Sequence, residues 1–529
     1  MKPQATPFVR QAALLGISYF IGRLLGVAYR LPLTGMIGDE GNAWYTTSHH
    51  VYAVALIIVA GALPSTVSKL VSERVALGQY RNAHNLFKTT MMFSIFVGTL
   101  MGFAMWFGAR FISDMLSSPE SFYAIRALAP ALAILGAMGA LRGYFLGMKS
   151  SLPVALSQTT EQVFNVAFSL WLAYLLLDAE RLHRSVTGAA AGTSIGVLAG
   201  LLILIFLYSL VQRDFKKRML KDLDRPYENE RDQLKILLFT AVPIIAGMGL
   251  YALGTPIDQG MANARIASSG VFSVEEVNIL VGQFGGKFLL LTGLPVAMAI
   301  ALSLAVIPEI SSANSVKDRN GIRTHINTAL RLAMLITIPS AVGLAVLADP
   351  ILTLLFPSFP EGGALLRWGA ISVVFMAANQ ILTGSLQGVG KVTMPLIAAF
   401  FGLLVKLPIN YFLMADPDIN VMGAVISTIA CFLVAGSLNL FFLYKSTHIM
   451  PRFDEALIKP SASAAIMGLA CWGLYRGLAV IIPNSLATVL TLILGMLIYI
   501  VAMMLMRSLK SSDIALLPLP EKAVDWLMK

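Results

Sequence analysis

The chain has 529 residues, 57% of them hydrophobic and only 13% charged, whereas soluble domains carry about 25% charged residues. That composition excludes most soluble classes and leaves an integral membrane protein. The formal net charge of +11 is spread over the loops between apolar runs and does not gather into one basic domain, which argues against a nucleic-acid partner and for a membrane-orientation signal.

A helix that crosses the ~30 Å hydrocarbon core needs about 20 mostly apolar residues. Apolar runs bounded by charge, Gly or Pro predict fourteen such helices in an all-α fold. In the first half they fall near 11–36, 45–68, 86–109, 121–147, 152–177 and 186–212. In the second they fall near 236–264, 279–308, 324–348, 363–389, 392–415, 419–444, 460–481 and 484–506. No small-residue cleavage site precedes the first run, so it is expected to remain attached as the first helix. Cys431 and Cys471 both lie within apolar runs, where free cysteine is a small apolar filler, and they suggest neither a disulfide nor a metal site.

Cytoplasmic loops should hold the excess of Lys and Arg. Assigning loops alternately puts 28 of the 39 basic residues on one side, Arg142 and Lys149 among them, and seven on the other, which carries most of the acidic loops. Both termini are therefore expected in the cytoplasm of a bacterial plasma membrane, as an even number of spans requires. The basic stretch 213–235 divides the spans six and eight. The predicted organisation is an N-lobe of helices 1–6 (1–212), a cytoplasmic linker (213–235), a C-lobe of helices 7–12 (236–445), and helices 13–14 with a tail (446–529).

Weak internal repetition supports two lobes related by an axis along the membrane normal. Leu63-Pro64-Ser65 resembles Ile307-Pro308-Glu309, Gly143-Tyr144-Phe145-Leu146-Gly147 resembles Gly384-Ser385-Leu386-Gln387-Gly388, and Glu161 with Asn165 resembles Lys406 with Asn410.

Four basic residues remain at membrane depth: Arg23, Arg30, Lys287 and Lys406. Each costs about 2.5–3.5 kcal/mol at a helix centre, so a wet cavity or a partner is required. Asp258 and Glu161 are the acidic candidates. Arg23 and Arg30 are two turns apart, which puts both on one face of the first helix. Guanidinium forks suit phosphate oxygens, so that face is expected to bind a pyrophosphate. Tyr45, His49, His50 and Tyr52 read as headgroup anchors of the second span. Asn165, Gln283, Asn379, Gln380 and Asn410 either bridge helices or touch substrate. No nucleotide-binding or hydrolase motif occurs, so the chain is not expected to be an enzyme or to carry a cofactor, and coupling to an ion gradient or the membrane potential is expected instead.

The run Gly22-Arg23-Leu24-Leu25-Gly26-Val27-Ala28-Tyr29-Arg30-Leu31-Pro32-Leu33, then Gly38-Asp39-Glu40-Gly41 and Pro64-Ser65-Thr66-Val67-Ser68-Lys69-Leu70-Val71-Ser72-Glu73, resembles the polysaccharide-biosynthesis branch of the multidrug/oligosaccharidyl-lipid/polysaccharide exporter superfamily. Within it, the likeness is to MurJ-like lipid II flippases of Gram-positive bacteria. The resemblance implies a V-shaped, two-lobed bundle of fourteen helices that alternates its access around a cationic cavity for the lipid's pyrophosphate and sugars. Arg23 matches the first cavity arginine of that family, Arg30 falls one residue from the second, and Lys287 approximates one expected in the eighth helix. A further cavity arginine of the second span has no basic counterpart here. Lys406 and Asn410 stand where an acidic residue of the eleventh helix can belong to a sodium site, so Lys406 is expected to replace a bound cation and pair with Asp258. The implied substrate is a lipid-linked saccharide, handled by a monomer in contact with membrane lipids and the cell-wall synthesis machinery. The alternatives are another polyprenyl-linked precursor (teichoic acid, capsule or spore envelope), a cation/drug antiporter of the superfamily, or a membrane-embedded glycan polymerase or ligase.

Overall fold

The computed structural model describes residues 7–506 apart from 117, 178–180, 221–227 and 358. Backbone groups in hydrocarbon have no water to bond and must satisfy one another locally, and the described chain is helical almost throughout. Its first half comprises α1 (Pro7–Ala28), α2 (Arg30–Leu56), α3 (Leu63–Ala76), α4 (Tyr80–Met115), α5 (Ser121–Gly147), α6 (Leu152–Leu175) and α7 (Leu182–Leu220). The second half comprises α8 (Glu230–Ala267), α9 (Val274–Gly282), α10 (Leu289–Ser315), α11 (Arg319–Val346), α12 (Ala348–Leu355), α13 (Gly363–Gly369), α14 (Ser372–Gly388), α15 (Thr393–Leu413) and α16 (Met422–Thr447). Two further helices, α17 (Lys459–Leu478) and α18 (Asn484–Leu505), pack on α11 and α12 respectively.

Among the described residues, ten helices are long and apolar enough to cross a membrane, and two bent pairs raise the number to twelve. The remaining two predicted spans are occupied by α1 and α6. The short helix α12 was not predicted and folds part of the segment that reads as a loop between the ninth and tenth spans, while the predicted tenth span is broken into α13 and α14 across a 46° bend.

The first predicted span runs over the end of α1 into α2. Pro32 has no N–H to give to the Ala28 carbonyl, yet Leu33 N bonds to Tyr29 O at 3.2 Å, so the rod continues past Tyr29. Gly38, at φ 63° and ψ −174°, ends it, a conformation open to glycine. A π-helical turn, Ile57–Ala62, then joins α2 to α3 across a 45° bend.

Close helix packing rests on glycines. Gly188, Gly192, Gly196 and Gly200 recur every fourth residue along one face of α7 and lie against α6, where a Cβ on Gly192 would fall 2.2 Å from Ser169 N. The predicted duplication appears in the contacts. On α5, Gly143 and Gly147 lie over the carbonyls of Pro64 and Ser68, as Gly384 and Gly388 on α14 lie over those of Ser303 and Ile307. The geometry corrects one register: Pro64 corresponds to Ser303, not to Pro308, because the carbonyls under the glycines, not the prolines, fix the pairing.

The molecule is a V-shaped bundle whose halves meet along α1, α3 and α10. Polar contacts join them at the end rich in basic residues. Lys149 Nζ lies 2.8 Å from Glu309 Oε2, Ser311 Oγ donates to Lys69 O, and Arg74 pairs with Glu228 at 2.7 Å. Helix extends into the 213–235 segment from both sides, through α7 to Leu220 and from Glu230 in α8, while 221–227 and the 507–529 tail lie outside the described residues.

Candidate functional site

Between the halves lies a cavity of about 520 Å³. From the first half it receives Tyr19 and Arg23 of α1, Arg142 of α5, and Gln158 and Glu161 of α6; from the second, Tyr251, Ser303, Gln380, Thr383 and Gln387. The charged groups stand on the first wall and neutral amides and hydroxyls on the other. Pro243 of α8 also faces the cavity, and the helix carries a second internal proline, Pro256.

Arg23 is exposed to the cavity and has no carboxylate partner among the described residues. Arg142 does have one: its Nη2 donates to Glu161 Oε2 at 2.7 Å and to Ser157 Oγ at 3.0 Å, and its Nε reaches the same hydroxyl at 3.3 Å. Ser157 Oγ donates in turn to Gly200 O, which leaves its lone pairs for the guanidinium. Tyr19, Arg23, Arg142 and Glu161 all line this one cavity, so the charged groups share one neighbourhood. Gln158 adds a buried Oε1 with no hydrogen-bond partner among the described residues.

Arg142 is the residue that the sequence reading misplaced. Its assignment to a cytoplasmic loop is corrected, because α5 continues to Gly147 and holds Arg142 more than a turn inside the helix, at the cavity. The signal was present, since the predicted span itself ran to residue 147. Glu161, predicted as a possible ion-pair partner, therefore pairs with Arg142 and not with one of the four basic residues first placed at depth.

Lys287 is not among the cavity-lining residues. It sits in the π-helical turn Gln283–Phe288, and its ammonium donates to the carbonyls of Phe359 and Glu361 at 2.5 and 2.7 Å. The expectation that it faces a pyrophosphate there is corrected by this capture: the turn directs it to the loop before α13. The side chain of Arg30 lies outside the described residues, though its backbone heads α2.

The other predicted intramembrane charges come together. Lys406 Nζ of α15 lies 2.9 Å from Asp258 Oδ2 of α8 and donates to Thr428 Oγ1 of α16 at 2.8 Å. Asn410 Nδ2, one turn further along α15, donates to Asp258 Oδ1 at 2.7 Å. Both charged side chains are at most 4% exposed. They border a smaller cavity of about 100 Å³, whose wall shares Tyr251 with the central one.

The neutral polar residues divide. Asn165 accepts from Ser169 and Thr193 and so ties α6 to α7, and Asn379 accepts from Tyr251 and Asn439, tying α14 to α8 and α16. Gln380 lines the central cavity, whereas Gln283 lies against Gly362. Tyr45 and Tyr52 are 1% and 4% exposed, and Tyr45 meets the Tyr29 hydroxyl at 2.5 Å. Their reading as headgroup anchors is corrected: the bend after Gly38 turns them into the core of the first half. Both cysteines are buried and free.

These features can be set against known proteins. The pattern of the lipid II flippase MurJ family matches residues 153–511. The chain is 28% identical over 461 residues to an uncharacterized membrane protein, YabM, of Bacillus subtilis (strain 168), covering 86% of this chain and 83% of that protein. It is 24% identical over 490 residues to the lipid II flippase MurJ of the same organism, covering 88% of each. Its fold is similar to an outward-facing multidrug resistance MATE transporter of the MOP superfamily, with a TM-score of 0.70 at 17% identity over 84% of this chain and 97% of the other. A two-lobed helical bundle around a central cavity, matched over most of its length by that family pattern, is a multi-pass membrane transporter, and the chain belongs to the lipid II flippase MurJ family.

Proposed function

We propose that this chain flips an undecaprenyl-pyrophosphate-linked peptidoglycan precursor from the inner to the outer leaflet by alternating access. The observation that carries the reading is Arg23, exposed in a central cavity without a carboxylate partner among the described residues, with a second guanidinium, Arg142, on the same wall. An unpaired guanidinium at membrane depth is costly, and a phosphate offsets that cost through charge-assisted bonds. The opposite wall of Gln380, Gln387, Thr383 and Tyr251 suits the hydroxyls and amides of a glycan headgroup. A cavity for cationic drugs would present unpaired carboxylates, and its one lining carboxylate among the described residues, Glu161, is paired.

The basic end, where Lys149 meets Glu309, is read as cytoplasmic, which makes the closed end the inner one. Lys406 is read as a tethered counter-ion that occupies the place of a free alkali cation beside Asp258, so transport is expected to follow the membrane potential and not sodium. Depleting the endogenous lipid II flippase in a bacterium that expresses this chain tests the function. Restored translocation supports it, and accumulation of the precursor on the inner leaflet rejects it.

A further inference from the structure

A cavity that accepts anionic lipid has a selectivity problem. Membrane phospholipids with one phosphodiester charge surround it in great excess, and a pair of free guanidiniums would bind them. Specificity against such competitors requires a feature that penalises them. The Arg142–Glu161 pair has the geometry for this. Glu161 Oε2 holds Nη2 of Arg142 at 2.7 Å, while Nη1 has no protein partner among the described residues. Both side chains keep some exposure, 14% and 16%, so the contact is wet enough to exchange. The backbone behind it cannot withdraw. Gly196 lies against the Glu161 carbonyl and Gly200 against its Cβ, and Ser157 fixes the other edge of the guanidinium. Exchange therefore means rotation of the Glu161 side chain alone.

Resting on the flippase reading above, we propose that Glu161 is a specificity-determining residue: an internal carboxylate that neutralises Arg142 against lipids bearing one phosphate charge and yields it only to a pyrophosphate, which engages Arg23 and Arg142 together. A single phosphodiester satisfies Arg23 and gains nothing by displacing Glu161. A diphosphate brings a second charge, which replaces the carboxylate at Arg142 and leaves Glu161 to the water of the cavity.

The test reconstitutes the full chain in vesicles and compares flipping of two fluorescent lipids, a polyprenyl-pyrophosphate-linked N-acetylglucosamine and a phosphatidylglycerol. The unaltered protein should move the first and exclude the second. Glu161→Gln should raise phosphatidylglycerol flipping on the order of tenfold or more, the weight of one charge-assisted hydrogen bond, while the pyrophosphate lipid is still moved. The double variant Glu161→Gln/Arg142→Gln again presents one free guanidinium and should restore exclusion of phosphatidylglycerol while slowing the pyrophosphate lipid. An unchanged headgroup ratio in Glu161→Gln, with the unaltered protein active on the pyrophosphate lipid, overturns this inference and leaves the flippase reading standing. Failure of the unaltered protein to move the pyrophosphate lipid overturns both. A purely structural pair would alter the two rates alike, and that outcome also rejects the inference.

Discussion

Arg23→Ala would remove the cavity guanidinium that has no carboxylate partner among the described residues, leaving Arg142 already engaged by Glu161. We expect translocation of a pyrophosphate lipid to fall at least about tenfold, since one charge-assisted bond to the cargo is lost, with little change in thermal stability because no ion pair of Arg23 among the described residues is broken. Reconstituted flipping and a melting curve, measured side by side, check both halves of that statement. Lys406→Met should behave in the opposite way. It leaves Asp258 buried with Asn410 as its one remaining partner among the described residues, and breaking a buried pair costs roughly 3–5 kcal/mol. The melting temperature should drop, and the double variant Asp258→Asn/Lys406→Met should recover part of the loss. If flipping by the unaltered protein rises with sodium at constant potential, the tethered-cation reading of Lys406 is wrong.

At the level of the helix, the α6–α7 contact depends on residues that sequence hydrophobicity ignores. Gly192→Ala would set a methyl 2.2 Å from the backbone of Ser169, and backbone cannot rotate away. Overpacking of this kind costs about 1–3 kcal/mol, and the displacement would reach Glu161 and Asn165, which lie against Gly196 on the same stripe. Lower stability together with impaired flipping is the expected result, whereas Gly26→Ala, with nothing within 4 Å of its added methyl, should be silent on both. The start of α9 offers a pH-dependent case outside the membrane-crossing segments. The backbone amide of Ser273, with its hydroxyl, holds the Glu276 carboxylate below its ordinary range in a reciprocal cap. Its stabilising effect is therefore present above the usual carboxylate pKa and fades as pH falls through the lowered one. Amide exchange at the α9 N-terminus should quicken on acidification; Ser273→Ala, which keeps the backbone amide, should weaken that pH dependence, and Glu276→Gln should abolish it.

For the whole molecule, the contact to test is an ion pair that joins the two halves. Lys149 stands in a left-handed conformation just past α5, at φ 57°, and that turn aims its ammonium across the interface at Glu309. His325 of α11 approaches the same carboxylate at 3.8 Å, so Glu309 gathers basic groups from both halves. Lys149→Glu should open this end, and the reciprocal change Lys149→Glu/Glu309→Lys should close it again. Distances between spin labels on the ends of α5 and α10 would report the shift. An unaltered distance distribution in Lys149→Glu would show that the apolar contacts of α1 and α3 with α10 suffice to hold the halves together.

Apolar run length was enough to determine an all-helical membrane bundle, because the hydrocarbon layer imposes its thickness on any chain that crosses it, while the family was legible in the motifs Gly22–Leu33, Gly38–Gly41 and Pro64–Glu73. The sequence also singled out Arg23, Asp258 and Lys406, since a charge within an apolar run has to be accounted for. Which charges meet was decided only by tertiary packing. Asp258 and Lys406 are far apart in the chain and become neighbours where α8 packs on α15, while Arg142 entered the cavity because its helix ran one turn further than its charge suggested. Lys287 was drawn away to two carbonyls, and Tyr45 and Tyr52 were turned inward. The physical reason is common to these cases. Hydrophobicity along the chain fixes depth, but direction around each helix axis is fixed by the kink at Gly38 and the π-helical turns, and by glycines that let one backbone touch another.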